Sequence, residues 1–135
     1  METQKAGCYL VDVKHKKIAL IYREKHNDYT FPKGHLENNE TLEQCAIRET
    51  AEETKRDAHI IDEIPPYIER YTTPTGEKCV CYMFVALDLG KSDNTSLDTH
   101  DLIWVDFDKV YDTLTYQSLK ISWNNIKDQI NKLFI

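Results

Sequence analysis

Residues 34–56, GHLENNETLEQCAIRETAEETKR, contain the start, body and end of a helix with an unusually acidic face. Thr41 is a suitable N-cap, and Gln44 three residues later completes a capping box. Apolar residues at 42, 45 and 46 recur at helical spacing, and this pattern fades after Thr54. The sequence therefore predicts a helix over about residues 41–54.

Three glutamates, Glu49, Glu52 and Glu53, lie at positions i, i+3 and i+4 of this helix and therefore share one face. Like charges at that spacing destabilise a helix by roughly 0.2–0.5 kcal/mol per pair. Glu52 and Glu53 also fall in the last turn, where the helix dipole favours cations. Arg48 supplies a single cation for the three carboxylates.

Two interpretations of this acidic face stay open from the cluster alone. One is a solvated surface at a helix end, in a domain of unrelated function. The other is a site for divalent cations, because carboxylate oxygens suit Mg²⁺ or Mn²⁺, which keep water and substrate phosphate as further ligands. A bound cation would reverse both electrostatic penalties.

The rest of the chain predicts a sheet and a second long helix. Pro32 and Gly34 are expected to exclude regular structure from the loop before the acidic helix. Apolar residues at helical steps predict an amphipathic C-terminal helix over about 117–133. These elements predict a single α+β domain over residues 1–135, an α/β/α sandwich. The strand candidates are 6–13, 18–22, 59–64, 67–73, 78–89 and 102–107.

The composition is that of an ordinary globular protein of 135 residues, 41% hydrophobic and 30% charged. No apolar run approaches the ~20 residues that span a bilayer, and the N-terminus lacks a signal-peptide core, so we expect a cytoplasmic protein without a membrane partner. The four cysteines show neither zinc spacing nor a disulfide framework, which favours reduced, buried thiols. A net charge of −6 disfavours long nucleic acid but allows a small phosphorylated partner where metal ions or lysines offset the repulsion.

The spacing of charged residues in 34–56 resembles the signature of the Nudix hydrolases. That signature reads Gly, five residues, Glu, seven residues, Arg-Glu, an aliphatic, any residue, Glu-Glu, any residue, Gly and an aliphatic. Thr50 and the pair at 55–56 depart from it, so Lys55 must adopt a left-handed cap or the helix must end differently. The glycine and charged positions are filled by Gly34, Glu40, Arg48, Glu49, Glu52 and Glu53.

The resemblance implies a mixed sheet between helices and a metal-dependent attack of water on a nucleoside diphosphate linked to another moiety. Mg²⁺ or Mn²⁺ would be the cofactor, and Glu40 and Arg48 would orient its ligands. The implied metal ligands are the carboxylates of Glu49, Glu52 and Glu53 and the backbone carbonyl of Gly34.

The resemblance leaves several candidates for the general base. Family members place it in the signature helix or in a later loop, often six positions before a tryptophan. Counting back from Trp104 gives Asp98, with Asp101 as the alternative. The expected catalytic residues are Glu52, Glu53 and Asp98.

The loop FPKGHLE (31–37) resembles that of the asymmetric dinucleoside tetraphosphate (Ap4A) hydrolases. Lys33 and His35 would flank the metal site and contact phosphate. KCVCY (78–82) has a lysine and a tyrosine at the spacing of the same group, so Lys78 would neutralise phosphate and Tyr82 would pack near a base. Each of these residues also has a structural interpretation. Lys33 and Lys78 would be exposed cations, His35 would hydrogen-bond the loop backbone, and Tyr82 would be a core residue.

The expected function is hydrolysis of Ap4A to ATP and AMP, with a nucleotide or dinucleoside polyphosphate as the partner. Similar loops in other branches leave nucleotide-pool sanitising of the 8-oxo-dGTP type and RNA 5′-pyrophosphohydrolysis as alternatives. A module that senses nucleotides without cleaving them belongs to a different class, and the three retained glutamates count against it. The sequence leaves the oligomeric state open.

Overall fold

The computed structural model describes residues 2–135 and contains a mixed eight-stranded sheet with helices on both faces. The helices are α1 (Leu42–Thr54), α2 (Val110–Thr113) and α3 (Gln117–Asn131), with 3₁₀ turns at Phe107–Lys109 and Lys132–Phe134. The strands are β1 (Thr3–Asp12), β2 (Lys17–Arg23), β3 (Asp28–Thr30), β4 (Lys33–His35), β5 (Arg56–Ile60), β6 (Tyr67–Thr72), β7 (Lys78–Lys91) and β8 (Asp101–Asp106).

The sheet is built around the parallel pair β1 and β7. Thr3–Val11 of β1 pairs in parallel with Cys79–Leu87 of β7, and every other strand pair is antiparallel. The main order is β3-β2-β1-β7-β5, while β4 pairs with β1, β6 with β7 and β8 with β2. The mixed sheet is the one that the sequence resemblance implied.

The two faces of the sheet carry separate apolar clusters because helices cover both of them. In β1, Cys8 and Leu10 belong to the cluster that includes residues of α1, whereas Tyr9 and Val11 belong to the cluster that includes residues of α3. Strands covered on both faces have near-continuous apolar sequences, as β1 does. The predicted α/β/α sandwich is confirmed. None of the helices within residues 2–135 is long and apolar enough to cross a bilayer.

Helix α1 begins and ends where its sequence indicates. The Thr41 hydroxyl accepts the Gln44 N–H at 3.0 Å, and the Gln44 side chain accepts the Thr41 N–H at 2.9 Å, so the predicted capping box is present. At the other end, Lys55 has φ 60° and ψ 33°, and its N–H donates to the Ala51 carbonyl at 3.0 Å. A lysine therefore occupies the left-handed position that glycine takes in the signature.

The expectation that Pro32 and Gly34 exclude regular structure was wrong. Strand β4 begins immediately after Pro32, which lacks a donor only at its own nitrogen, and pairs with Lys5–Gly7 of β1. The Pro32 carbonyl accepts the Cys8 N–H at 3.3 Å. A Cβ on Gly7 would collide with that carbonyl, so glycine allows the two backbones to meet. This pairing fixes the loop before α1 onto the sheet.

Candidate active site

Helix α1 buries two carboxylates, one turn apart. Glu49 and Glu53 are 7% and 8% exposed. Burial of ionised carboxylates is costly unless partners compensate for the lost water, and the compensation here is partial. Glu53 accepts the Lys33 N–H at 2.9 Å, and Glu49 faces the Arg48 guanidinium at 3.4 Å.

Asp98, which is exposed and precedes β8, brings a third carboxylate to the same place. Oxygens of Glu49, Glu53 and Asp98 all lie within 4.8 Å of one another. Burial raises the pKa of Glu53 to about 8; the Lys33 N–H opposes this rise, whereas the charges of Glu49 and Asp98 add to it. Burial also raises the pKa of Glu49, against the opposing Arg48 charge. The group therefore holds more negative charge than its neighbours neutralise.

Gly34 allows strand β4 to approach this group closely. A Cβ at that position would collide with the Glu49 carboxylate, so a larger residue would displace one of the clustered side chains. The Gly34 carbonyl accepts a weak bond from Cys45 Sγ at 3.6 Å. Its role as a metal ligand stays a prediction.

Arg48 ties the loop before α1 to the helix. Its guanidinium donates to both oxygens of Glu40 at 2.6 and 3.0 Å and to the His35 carbonyl at 2.9 Å. The Arg48 hydrogen bonds lower the pKa of Glu40. Nη1 of Arg48 also donates to both oxygens of Glu52, at 3.1 and 3.2 Å. These contacts hold Glu52 outside the carboxylate group. The orienting role of Glu40 and Arg48 stays a prediction.

A cleft of about 420 Å³ opens beside the carboxylates, and two lysines are among the residues that line it. Lys5 and Lys33 lie over the ring of Tyr71, with Nζ 5.6 and 5.5 Å from its centroid. Within residues 2–135, neither ammonium lies within 4.0 Å of a carboxylate. Glu69 also lines the cleft, and burial raises its pKa. Unpaired cations beside an acidic group form a site suited to phosphate bridged by metal ions.

The other end of the cleft is held by a buried aspartate. Asp28 is fully buried and accepts two hydrogen bonds from Arg23, at 2.8 and 2.5 Å, and one from the Tyr116 hydroxyl at 2.6 Å. The hydrogen bonds from Arg23 are the main cause that lowers the pKa of Asp28. The hydrogen bond from Tyr116 lowers it further, and burial opposes both. Arg23 and Tyr116 both line the cleft, so this network fixes two of its polar walls.

The structure brings together most of the predicted site residues but not all of them. Glu52 is held by Arg48 and does not line the cleft. Lys78 is exposed at the start of β7, and Tyr82 packs against the apolar cluster on the α1 face of the sheet. The predicted residues that do line the cleft are Lys33, Gly34, His35, Glu49, Glu53 and Asp98.

Several cleft residues were not predicted. Lys5 had a signal that could have been used, because it alternates with Gly7 and Tyr9 on one face of β1, where a lysine is unusual. No sequence pattern indicated the other three, Arg23, Asp28 and Tyr116. Their network joins β2 and β3 to the start of α3, and its Asp28–Tyr116 bond spans 88 residues of sequence.

The residues present fit Mg²⁺ or Mn²⁺. All three donors are hard carboxylate oxygens, two of them are buried, and the pKa of each buried one is raised. Because Gly34 has no Cβ, strand β4 lies close to the Glu49 carboxylate without displacing it from the group. Glu49, Glu53 and Asp98 are the side chains that would hold the ion.

A family model described as the NUDIX domain matches residues 1–124. The chain belongs to the NUDIX family. The signature in 34–56 is therefore confirmed as that of a NUDIX domain, and the fold is the one the family implies. The extension of a single NUDIX domain over all of 1–135 stays a prediction.

One curated relative shares part of its sequence with this chain. An 8-oxo-(d)GTP phosphatase of Mycolicibacterium smegmatis (strain ATCC 700084 / mc(2)155) is 31% identical over 100 residues, which are 74% of this NUDIX chain and 30% of that protein. This chain therefore spans less than a third of the length of that relative.

Solved structures of low identity share the fold. A NUDIX hydrolase from Nitrosomonas europaea has a TM-score of 0.75 at 18% identity, covering 98% of this chain and 91% of its own. A C. elegans Ap4A hydrolase has a TM-score of 0.71 at 21% identity, covering 96% and 99%. At these identities the likeness shows the NUDIX fold alone.

Proposed function

We propose that this NUDIX domain is a Mg²⁺- or Mn²⁺-dependent pyrophosphohydrolase that acts on a nucleoside diphosphate linked to another moiety. The observation that carries the proposal is the convergence of Glu49, Glu53 and Asp98 beside the unpaired lysines Lys5 and Lys33 in one cleft. Carboxylates alone would repel a polyphosphate, and lysines alone would not hold a metal ion. Together they suit a metal–polyphosphate complex.

When bound, the metal would neutralise phosphate charge and lower the pKa of the attacking water. The oxygen of that water forms a bond to phosphorus while the bond from phosphorus to the bridging oxygen breaks, and the bridging oxygen leaves with the product phosphate. Lys5 and Lys33 would hold non-bridging phosphate oxygens. Glu53 and Asp98 are the stronger candidates for accepting the water proton, because Glu52 is engaged by Arg48.

The substrate we favour is Ap4A, cleaved to ATP and AMP. Lys33 and His35 of the FPKGHLE loop line the cleft, in support of the resemblance to Ap4A hydrolases. Lys5 adds a second cation next to Lys33, which suits a long phosphate chain. The 31% identical relative named for 8-oxo-(d)GTP supports the second candidate, sanitising of the nucleotide pool.

A substrate panel tests both candidates. Purified protein is incubated with Ap4A, 8-oxo-dGTP or a 5′-triphosphorylated RNA in Mg²⁺ or Mn²⁺, with and without EDTA, and the products are separated by chromatography. Hydrolysis in ¹⁸O-labelled water identifies the phosphorus attacked. ATP plus AMP from Ap4A, abolished by EDTA, is the expected result, whereas turnover confined to 8-oxo-dGTP or to RNA would reassign the substrate within the same chemistry.

Two matched variants separate catalysis from folding. Glu53→Gln removes a clustered carboxylate, and Glu43→Gln removes the same charge from an exposed position of α1. We expect the first to lower turnover at least about a hundredfold with the fold intact, and the second to leave it unchanged. Calorimetric binding of a nucleotide with no turnover in either metal would overturn the proposal in favour of a sensing module.

A further inference from the structure

The loop that delivers Asp98 is organised by side chains that accept the amide two residues later. Ser92 Oγ accepts the Asn94 N–H at 3.1 Å, Asn94 Oδ1 accepts the Ser96 N–H at 2.8 Å, and Ser96 Oγ accepts the Asp98 N–H at 3.1 Å. We call residues 92–100 the Asp98 loop. It leads from the end of β7 to β8 and passes beside the C-terminus of α1.

Lys55 connects this loop to the helix. Its ammonium donates to the Ser96 carbonyl at 2.5 Å, lies 3.4 Å from Asn94 Oδ1, and donates to the Glu52 carbonyl at 3.2 Å. One side chain thus joins the last turn of α1 to the middle of the Asp98 loop. The cation also lies at the helix C-terminus, where the dipole favours it.

Backbone hydrogen bonds attach both ends of the loop to the same helix terminus. The Ser92 N–H donates to the Lys55 carbonyl at 2.9 Å, and the His100 N–H donates to the Glu53 carbonyl at 3.1 Å. The Thr99 hydroxyl also donates to the Glu53 carbonyl, at 3.4 Å. Between Ser92 and Thr99, the contacts of the loop with the helix end are those of the Lys55 ammonium, with Asn94 and Ser96. A glycine at position 55 would end the helix with less strain but would leave the middle of the loop unattached.

We infer that Lys55, which occupies the glycine position of the NUDIX signature, is a positioning residue that holds Asp98 against Glu49 and Glu53. The inference rests on the proposed function in so far as Asp98 serves as a metal ligand. Lys55 acts on Asp98 indirectly, since its ammonium bonds Asn94 and Ser96 of the loop rather than Asp98 itself.

Three substitutions at position 55 and one control test the role. Lys55→Gly restores the signature residue, Lys55→Met keeps the side-chain length without the donor, and Lys55→Arg keeps a donor. Lys16→Gly is the control, because Lys16 is also left-handed (φ 53°) but lies in the turn between β1 and β2. Lys55→Gly relieves the left-handed strain but also removes the three contacts of the ammonium. Its melting temperature is therefore measured beside its activity, and a retained melting temperature separates weakened metal binding from unfolding.

The expected effect is on the metal requirement. Lys55→Gly and Lys55→Met should raise the Mn²⁺ concentration for half-maximal hydrolysis about tenfold, the lower range for residues that orient metal ligands, with little change in KM for the nucleotide. Lys55→Arg should recover most of the loss, and Lys16→Gly should match the wild type. An unchanged metal requirement in both Lys55→Gly and Lys55→Met would overturn the inference.

A double-mutant cycle shows whether Lys55 acts through Asp98. Asp98→Asn should raise the metal requirement by itself, and adding Lys55→Gly to it should raise the requirement no further. Multiplicative defects would mean that the two residues act independently, which contradicts the proposed role.

A readout without turnover keeps this inference separate from the proposed function. Mn²⁺ binding followed by electron paramagnetic resonance should weaken about tenfold in Lys55→Gly, and amides of the Asp98 loop should exchange hydrogen faster. If the wild-type protein hydrolyses no nucleotide, the proposed function fails while these two measurements still decide the role of Lys55. Unaltered Mn²⁺ affinity and exchange would reject that role even in an active enzyme.

Discussion

The buried carboxylate of Glu53 makes stability without divalent cations depend on pH. Its folded pKa of about 8 lies above the ordinary value of 4.5, so the folded state binds the proton more tightly than the unfolded chain does. This stabilisation is complete below about pH 4.5 and is lost as the pH rises through 8. Between pH 5 and 8, the free energy of unfolding in EDTA should fall by about 1 kcal/mol per pH unit at most, measured by urea denaturation.

The same titration controls metal affinity in the opposite direction. Protons compete with the cation for Glu53, so Mn²⁺ binding should tighten as the pH rises toward 8. Glu53→Gln should flatten both dependences, and Glu43→Gln on the exposed side of α1 should leave them as they are. Wild-type stability that stays constant or increases between pH 5 and 8 in EDTA would contradict the assignment.

Gly34 lies against the Glu49 carboxylate, and a larger residue at this position tests that contact. A Cβ there would collide with the Glu49 carboxylate, so Gly34→Ala should move Glu49 and lower turnover about a hundredfold, the loss typical of an ångström-scale misplacement. Circular dichroism should confirm a retained fold. Gly76→Ala is the control: a Cβ there meets open space, so the strain at φ 89° should lower stability while activity is unaffected.

Single residues were predictable where the signature fixes their spacing and unpredictable where only the fold does. Glu49 and Glu53 come together because i and i+4 positions share a helix face. Tyr82 was expected near the substrate, but β7 alternates, and position 82 faces α1 rather than the cleft. Lys5 had a signal of its own, an unusual lysine on one face of β1, but its place beside Lys33 depends on the pairing of β1 with β4.

At the scale of elements, Arg48 joins the loop before α1 to the helix. Arg48→Met would leave Glu40, Glu49 and Glu52 without their shared cation, and should lower the free energy of unfolding by about 2 kcal/mol. Saturating Mg²⁺ should restore part of that loss, because it neutralises the same region. Urea denaturation with and without Mg²⁺ measures both effects.

Arg70 offers a matched control for that substitution. Its ion pair with Glu2 is exposed and measures 3.3 Å, so Arg70→Met should cost no more than about 1 kcal/mol, with no response to Mg²⁺. Equal losses in the two variants would mean that the Arg48 network contributes no more than a surface ion pair.

Element boundaries were predictable where local chemistry determines them. The capping box of Thr41 and Gln44 placed the start of α1 correctly, and apolar spacing placed α3. Strand β4 was missed because proline and glycine are breakers on average, while here the backbone of β1 supplies the pairing that a three-residue strand needs. The prediction for β5 was several residues late, since its register depends on β7.

For the whole molecule, metal binding should raise thermal stability, because the proposed ligands come from α1 and the Asp98 loop, which are held together only in the folded state. At a Mg²⁺ or Mn²⁺ concentration a hundred times Kd, the gain should be about 2.7 kcal/mol, seen as a melting temperature several degrees above that in EDTA. Glu49→Gln/Glu53→Gln should lose the gain. A wild-type melting temperature that neither Mg²⁺ nor Mn²⁺ changes would argue against a metal site at these carboxylates.

The parallel pairing of β1 with β7 has a consequence for biosynthesis. During translation, β1 emerges well before its partner Cys79–Leu87, because five strands and helix α1 lie between β1 and β7 in the chain. Closing so long a loop slows folding, and the central ladder of the sheet is incomplete until then. The acidic helix therefore emerges when β1 is present but β5 and β7, which also pack against it, are not. The three carboxylates come together only after translation has passed Asp98.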